Sequence, residues 1–229
     1  MKAPEAPKPA EKAGRDALRR RADAVWRMLR KAYPQARCAL VFGSPLQLAV
    51  ATMLSAQCTD KRVNLVTPEL FRRYPDAEAF AAASQEEIEE AIRSVGFFRN
   101  KARNIRALAR ELLAHHGGEL PRSLDELVRL PGIGRKTANL LVCELFGTPG
   151  LVVDTHFIRL TNRLGFVEAT RNPVAIERAM AELLPRGRWS LWGQLMISHG
   201  RAVCSARSPA CERCSIAHLC PSCHENSRS

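Results

Sequence analysis

The sequence predicts an all-α protein built from many short helices. Helix-start signals, each a Ser, Asp or Asn before an apolar turn, recur at Ser44, Ser84, Ser123, Asp154 and Asn172. Apolar residues at helical spacing follow these signals, and Gly or Pro marks the ends. The one strand-like run, residues 151–153, is too short to build a sheet. These observations predict helices joined by short connections.

The N-terminal part is expected to enter the fold through one helix at about residues 16–37. Residues 1–15 are biased towards Pro, Ala and Lys, which predicts a disordered basic leader. The stretch Ser44–Gln47, SPLQ, combines an N-cap, a proline at the first helical position and a capping partner. It predicts a helix over residues 46–57.

Three more helices are predicted in the centre of the chain. The capping box Ser84–Glu87 precedes a helix over residues 88–95. Residues 100–115 carry apolar side chains at helical spacing and end before a pair of glycines. The pattern Ser123–Glu126 predicts a cap for a short helix over residues 125–130.

A glycine-rich turn follows, LPGIGRKTAN at residues 130–139. It is not a nucleotide-binding P-loop, because one residue rather than four separates Gly132 from Gly134. A short helix, this turn and a further helix form a helix–hairpin–helix at about residues 124–146. Free amides at the start of the second helix can bind a phosphate, assisted by Arg135. A helical hairpin without a ligand is the simpler interpretation.

The last third of the chain continues the helical pattern. Asp154 is placed to cap a helix over residues 156–164, which is closed by a glycine. Asn172-Pro173 starts a helix over residues 175–184, and residues 189–199 supply one more.

The chain of 229 residues is strongly basic, with 35 Lys and Arg against 23 acidic residues and a formal charge of +12. This surplus favours a polyanionic partner, most simply nucleic acid. Only 6% of residues are aromatic, which disfavours an open stacking platform for single strands. No run of about 18 apolar residues occurs, and the first residues lack the apolar segment of a secretory signal.

Four of the eight cysteines cluster near the C-terminus, at Cys204, Cys211, Cys214 and Cys220. Without a secretory signal, such a cluster favours metal ligands over disulfides. Four thiolates suit either an iron–sulfur cube or tetrahedral zinc. Cys223 adds a second C-x-x-C pair, which would suggest zinc, but the spacing between the pairs is tight and Cys204 would be left over.

Several motifs together resemble the bacterial endonuclease III family, the iron–sulfur branch of the helix–hairpin–helix, Gly/Pro-Asp DNA glycosylase superfamily. They are LSAQCTD, LPGIGRKTAN, VDTHFIRLTNRLG, and HGRAVC leading into C-x6-C-x2-C-x5-C. The resemblance runs from about Ser44 to Cys220. It implies a base-excision enzyme that removes oxidised pyrimidines from duplex DNA and then nicks the strand.

The resemblance also implies two lobes with DNA in the cleft between them. One lobe would be a helical barrel over residues 38–149, and the other would join residues 16–37 to residues 150–229. The four clustered cysteines would hold a [4Fe–4S] cluster, with Cys223 as a bystander. The partner would be duplex DNA carrying a damaged or abasic pyrimidine site, bound by a monomer in the cytoplasm at the nucleoid.

By the same resemblance Lys136 is the nucleophile and Asp154 the essential carboxylate. The lysine must be neutral to attack, and apolar Leu140 and Cys143 on its helix face predict partial desolvation. A solvated phosphate contact is the alternative for Lys136, and a helix cap alone is the alternative for Asp154.

DNA-contacting residues follow from the family pattern as well. Gln57 would enter from the minor groove and Phe97, where the family more often has Leu, would be the apolar wedge. Either Phe97 or its neighbour Phe98 is expected to pack into the core instead. The other predicted DNA contacts are Gly132, Gly134, Arg135, Thr137 and His156.

The sequence leaves two rival functions open. An adenine or mismatch glycosylase of the same superfamily would keep Asp154 but normally lack the lysine at position 136 and carry an extra C-terminal domain. A non-catalytic helix–hairpin–helix protein would recognise DNA shape alone.

Overall fold

All regular structure in residues 9–223, which the computed structural model describes, is helical. This confirms the predicted all-α class. The α-helices, in chain order, are α1 Pro9–Ala32, α2 Pro45–Leu54, α3 Asp60–Arg73, α4 Ala77–Ala82, α5 Gln85–Ala91, α6 Phe98–His115, α7 Leu124–Leu127, α8 Arg135–Phe146, α9 Thr155–Arg163, α10 Pro173–Leu183 and α11 Trp189–Ala202. Short 3-10 turns lie at Arg186–Arg188, Cys211–Arg213 and Ala217–Leu219. None of the described helices is both long and apolar enough to cross a bilayer.

The chain divides into two compact units. One unit is Cys38–Thr148, and the other joins the described residues before Cys38 to those from Pro149 onward. The lobes expected from the sequence were residues 38–149, and 16–37 with 150–229.

The predicted disordered leader is wrong over its second half. Helix α1 begins at Pro9, so residues 9–15 are helical. The reason is local, since Ala, Glu, Lys and Arg are strong helix formers and proline is tolerated in the first turn. Residues 1–8, the rest of the predicted leader, lie outside the described residues.

Most of the predicted caps are present. The Gln47 amide donates to Ser44 Oγ over 3.3 Å, and the reciprocal capping box of Ser84 and Glu87 is complete. Asn172 Oδ1 accepts from the next two helical amides. The expected side-chain cap by Ser123 is wrong, because its hydroxyl makes no capping hydrogen bond in the described structure.

Two other differences concern helix extent. Helix α2 ends at Leu54 rather than continuing to residue 57, and Ser55 begins a turn. Helices α3 and α4 were not predicted; α3 even contains Pro68. Both carry side-chain N-caps, on Thr59 and Asp76, which are sequence signals that the prediction passed over.

The core of the Cys38–Thr148 unit is organised around α2. Its residues Leu48–Leu54 are buried, and α3, α6 and α8 pack on it. A helix that is apolar on all sides must be enclosed by other elements. The hairpin formed by α7 and α8 therefore packs at the centre of the unit.

The core of the other unit combines aliphatic side chains with a cluster of aromatic rings. The rings of Trp26 and Trp192 stack at 5.8 Å, and Phe166 meets Trp192 edge-on. Helices α1, α9, α10 and α11 bury this cluster between them. Three of the clustered cysteines, Cys204, Cys214 and Cys220, pack against the same core.

Candidate functional site

The two glycines of the hairpin turn have different structural roles. Gly132 has a left-handed φ of +75°, and a Cβ there would lie 2.5 Å from Met53 Cε. A side chain at Gly134 would meet no described atom within 4 Å. The fold therefore requires glycine at position 132, whereas at position 134 it leaves open space.

The start of α8 carries the residues that the sequence predicted to bind a phosphate. Gly134 is its N-cap in an extended conformation and has no side-chain oxygen with which to cap the helix. The buried side chain of Ile133 anchors the turn. Arg135 and Lys136 are exposed and Thr137 is half-buried. Amides, helix dipole and cationic side chains are thus combined at one surface.

The expected desolvation of Lys136 by its own helix is wrong. Lys136 is exposed, because α8 begins at the surface of its unit while Leu140, one turn later, turns into the core. The protein by itself does not bury this amine.

Asp154 caps α9. Its Oδ1 accepts a 2.8 Å hydrogen bond from the Phe157 amide, which confirms the capping interpretation. The preceding residues 151–153 are buried and hold the aspartate at the edge of the core of its unit. The side chain is only half-buried, so capping does not enclose the carboxylate.

His156 lies in the same helix start. Its Nδ1 is 3.0 Å from Arg159 Nη2. Burial, with the charges of Arg159 and Arg201, lowers the pKa of His156, although Asp154 opposes the shift. The imidazole is therefore neutral at pH 7 and can act as a hydrogen-bond partner without adding charge.

Gln57 and Phe97, the two residues expected to enter DNA, are both exposed. Phe97 is 65% exposed at the N-cap of α6. Phe98 is half-buried, with Arg99 stacked over its ring at 5.1 Å. Of the two phenylalanines, Phe97 is thus the one whose side chain is exposed enough to contact a partner.

The clustered cysteines line one cavity of about 390 Å³. Cys204, Cys211, Cys214 and Cys220 all line it, as does His199. No three acidic, His or Cys side chains among residues 9–223 converge as the ligands of a single metal ion. A four-thiol set spread around a cavity fits a polynuclear cluster. Cys223 is buried and also lines the cavity.

The protonation of the thiols depends on burial. Burial raises the pKa of the Cys214 and Cys220 thiols, so metal binding must release their protons. His199 is buried beside them, with Nε2 3.4 Å from Cys214 Sγ and Nδ1 2.9 Å from the Tyr33 hydroxyl. Burial lowers the pKa of His199 to about 4, which keeps it neutral. Its two ring nitrogens thus link Tyr33 to Cys214.

Two arginines that the sequence analysis passed over hold the cysteine loop. Arg159 donates to the Cys204 and Gly200 carbonyls. Arg163 donates to Cys204 Sγ at 3.1 Å and to the Ser205 carbonyl at 2.7 Å. Both lie on α9, so the helix that Asp154 caps is also the helix that carries the cysteine loop. In the sequence, their spacing of four residues on one helix indicates that the two arginines share a face.

Comparison with known proteins agrees with this arrangement. The family described as HhH-GPD superfamily base excision DNA repair protein matches residues 50–186. The iron–sulfur binding domain of endonuclease III matches residues 204–220, which include the four clustered cysteines and exclude Cys223.

Individual relatives extend the match over nearly the whole chain. Endonuclease III of Synechocystis sp. is 51% identical over 205 residues, which is 89% of this chain and 93% of that protein. A solved non-covalent endonuclease III–DNA complex superposes with a TM-score of 0.87 at 41% identity, covering 92% of this chain and 99% of that one. A trapped endonuclease III–DNA covalent intermediate gives 0.86 at 42% identity, covering 93% and 99%.

The chain therefore belongs to the endonuclease III family, the iron–sulfur branch of the helix–hairpin–helix base excision repair superfamily. Its cofactor is a [4Fe–4S] cluster.

Proposed function

We propose that the protein is a bifunctional DNA glycosylase and abasic-site lyase that removes oxidised pyrimidines from duplex DNA in base excision repair. The observation that carries the proposal is Lys136 in the first turn of α8, directly after a glycine turn in a chain of this family. A primary amine there provides both a nucleophile and a means of strand cleavage.

The chemistry begins at C1′ of the damaged nucleotide. Lys136 Nζ attacks C1′, the glycosidic bond breaks, and its electron pair leaves with the base, which takes up a proton. Opening of the sugar ring gives a Schiff base between Lys136 and C1′. The iminium makes the C2′ proton acidic, and its loss forms the C2′–C3′ double bond and expels the 3′ phosphate. Water then hydrolyses the imine and releases Lys136.

Attack requires the neutral amine. Because the protein leaves Lys136 exposed, contact with the DNA must supply the desolvation that the sequence had suggested.

Asp154 would act on the same sugar. Its carboxylate can stabilise the positive charge that develops at C1′ as the base leaves. Capping by Oδ1 fixes the orientation of the group without changing its charge.

The hairpin would bind the phosphate backbone through Gly134 and the first amides of α8, with Arg135 and Thr137 beside them. His156 would contact the sugar–phosphate near Asp154. Gln57 and Phe97 would fill the gap left when the base is extruded, since flipping removes its stacking.

The two hairpin glycines provide a matched test of this backbone contact. Gly132→Ala should lower the free energy of unfolding by about 1–3 kcal/mol, because a left-handed alanine would press on Met53. Gly134→Ala should leave the unfolding temperature unchanged and weaken DNA binding, because its methyl group meets only the incoming strand. Thermal unfolding and fluorescence anisotropy with an abasic duplex measure the two effects. Wild-type affinity in Gly134→Ala would contradict the backbone contact.

The cysteine assignment has its own test. Cys211→Ser should lose the iron, the acid-labile sulfide and the visible absorbance of the cluster, whereas Cys223→Ser should retain all three. Iron and sulfide analysis of the purified variants measures this. Loss of iron from Cys223→Ser would show that the ligand set is wrong.

The loop around the cluster would also brace a basic surface against DNA. Arg207 is exposed on it, and Arg213 donates to the Ala202 carbonyl. Arg207→Glu should weaken DNA binding and reduce the slope of log affinity against log salt by about 1. Binding isotherms at several salt concentrations measure the slope, and an unchanged slope would exclude this role.

Localisation follows from the proposed substrate. An enzyme acting on chromosomal DNA would work in the bacterial cytoplasm at the nucleoid, and a single copy of the chain would carry the residues named here.

A further inference from the structure

Lys101 is a buried lysine for which the proposed chemistry has no role. It lies in the first turns of α6 and is only 6% exposed, the lowest exposure of any lysine or arginine in the described part of the chain. Burial lowers the pKa of this amine. A buried ammonium group is costly unless it is well paired, so its partners indicate what it does.

Those partners are main-chain carbonyls in the turn after α2. Lys101 Nζ donates to Leu54 O at 2.8 Å and to Ala56 O at 2.7 Å. Leu54 is the last residue of α2, where the helix dipole favours a cation. The Ala56 carbonyl belongs to the peptide bond that leads into Gln57, so this hydrogen bond fixes one side of the Gln57 backbone.

The other loop adjoins the helix of Lys101, because α6 begins directly after Phe97. The main-chain amide of Lys101 donates to the Phe97 carbonyl at 3.1 Å. The two loops are themselves close, since a Cβ on Gly96 would lie 4.0 Å from the Gln57 carbonyl oxygen. The amide bond to Phe97 is the ordinary first-turn bond of α6, so it is the side chain of Lys101 that links the helix beginning after Phe97 to the turn that carries Gln57.

Both loops hold a strained residue at the tip. Among the described residues, the non-glycine residues with left-handed φ are Gln57 at +53° and Phe97 at +58°. Such conformations are unfavourable for residues with a Cβ and persist where the surroundings enforce them. Strain concentrated at two neighbouring, exposed positions indicates a functional geometry held in advance.

We propose that Lys101 is a positioning residue that holds the Gln57 and Phe97 tips in the paired geometry needed to enter the duplex and replace the extruded base. This inference rests on the proposed function. Lys101 touches neither the sugar nor the base, and acts through the two tips.

The test compares substrates that do and do not require base extrusion. Lys101→Met keeps the length of the side chain and removes its charge and donors. It should lower kcat/KM on a duplex with an oxidised pyrimidine by about 10²-fold, as small misplacements of a positioned group do. Borohydride trapping on a single-stranded abasic oligonucleotide should match wild type, because no base has to be replaced there. Lys31→Met, an exposed lysine on α1, is the control for loss of one charge.

A double variant tests the route of the effect. If Lys101 acts through the tips, Lys101→Met should add little to the loss caused by Phe97→Ala on the duplex. The proposal would be overturned if the activity losses of the two substitutions multiply in the double variant. It would also be overturned if Lys101→Met loses equal activity on duplex and single strand, and Lys101 would then be a cap for α2. Lys101→Arg retains the charge and the donors, and it takes the place of Lys101→Met if that variant does not fold. A loss of activity confined to the duplex in Lys101→Arg would then support the proposal, and an equal loss on both substrates would overturn it. Absence of trapping in the wild-type protein would instead contradict the proposed lyase function.

Discussion

Lys136→Ala is expected to abolish strand nicking at an abasic site. Without the amine no Schiff base forms, so the C2′ proton is not acidified and the 3′ phosphate has no route for leaving. The loss in rate should exceed about 10³-fold, because the variant loses a nucleophile and not only a contact. Single-turnover cleavage of an end-labelled abasic duplex measures it.

Stability should change little in this variant. Lys136 is exposed, so its truncation leaves no cavity and removes no buried partner. Lys31→Ala, an exposed lysine near the end of α1, is the matched control and should cleave at the wild-type rate. Near-normal nicking by Lys136→Ala would show that another group carries the lyase reaction, and Lys136 would then be a phosphate contact.

Asp154→Asn should reduce base removal by about 10²–10⁴-fold with the unfolding temperature unchanged. The amide oxygen can still accept from the Phe157 amide, so the cap of α9 survives while the charge is lost. Base release from a duplex with an oxidised pyrimidine, measured under single turnover, gives the catalytic effect.

The companion variant Asp154→Ala separates capping from catalysis. It should lose the same activity and in addition about 1 kcal/mol of stability, because a capping side chain is removed. Equal activity in Asp154→Asn and wild type would mean that the carboxylate is only a cap. A large fall in the stability of Asp154→Asn would mean that the activity loss reports unfolding.

The helices that the sequence predicted well are those with local signals. The caps at Ser44, Ser84, Asp154 and Asn172 join residues within three positions of each other, so the chain encodes them without reference to tertiary structure. The hairpin turn is also encoded locally, because the position that must adopt positive φ is occupied by a glycine, which the sequence shows directly.

What the sequence could not predict depends on packing. The exposure of Lys136 follows from where α8 meets the surface of its unit, which the apolar neighbours on its face did not indicate. Lys101 occupies a core position of α6, in helical register with buried Ile105, Leu108 and Leu112. A single lysine in such a stripe was the available signal, but its carbonyl partners, 47 and 45 residues earlier, are brought there only by the fold.

The central claim is that the amine of Lys136 bonds to C1′, and covalent trapping tests it most directly. Borohydride added during reaction with an abasic duplex should reduce the imine and leave a stable protein–DNA adduct. After digestion, mass spectrometry should locate the adduct in the peptide that contains Lys136. An adduct mapped to any other residue, or no adduct with an abasic duplex that the protein nicks, would contradict the account.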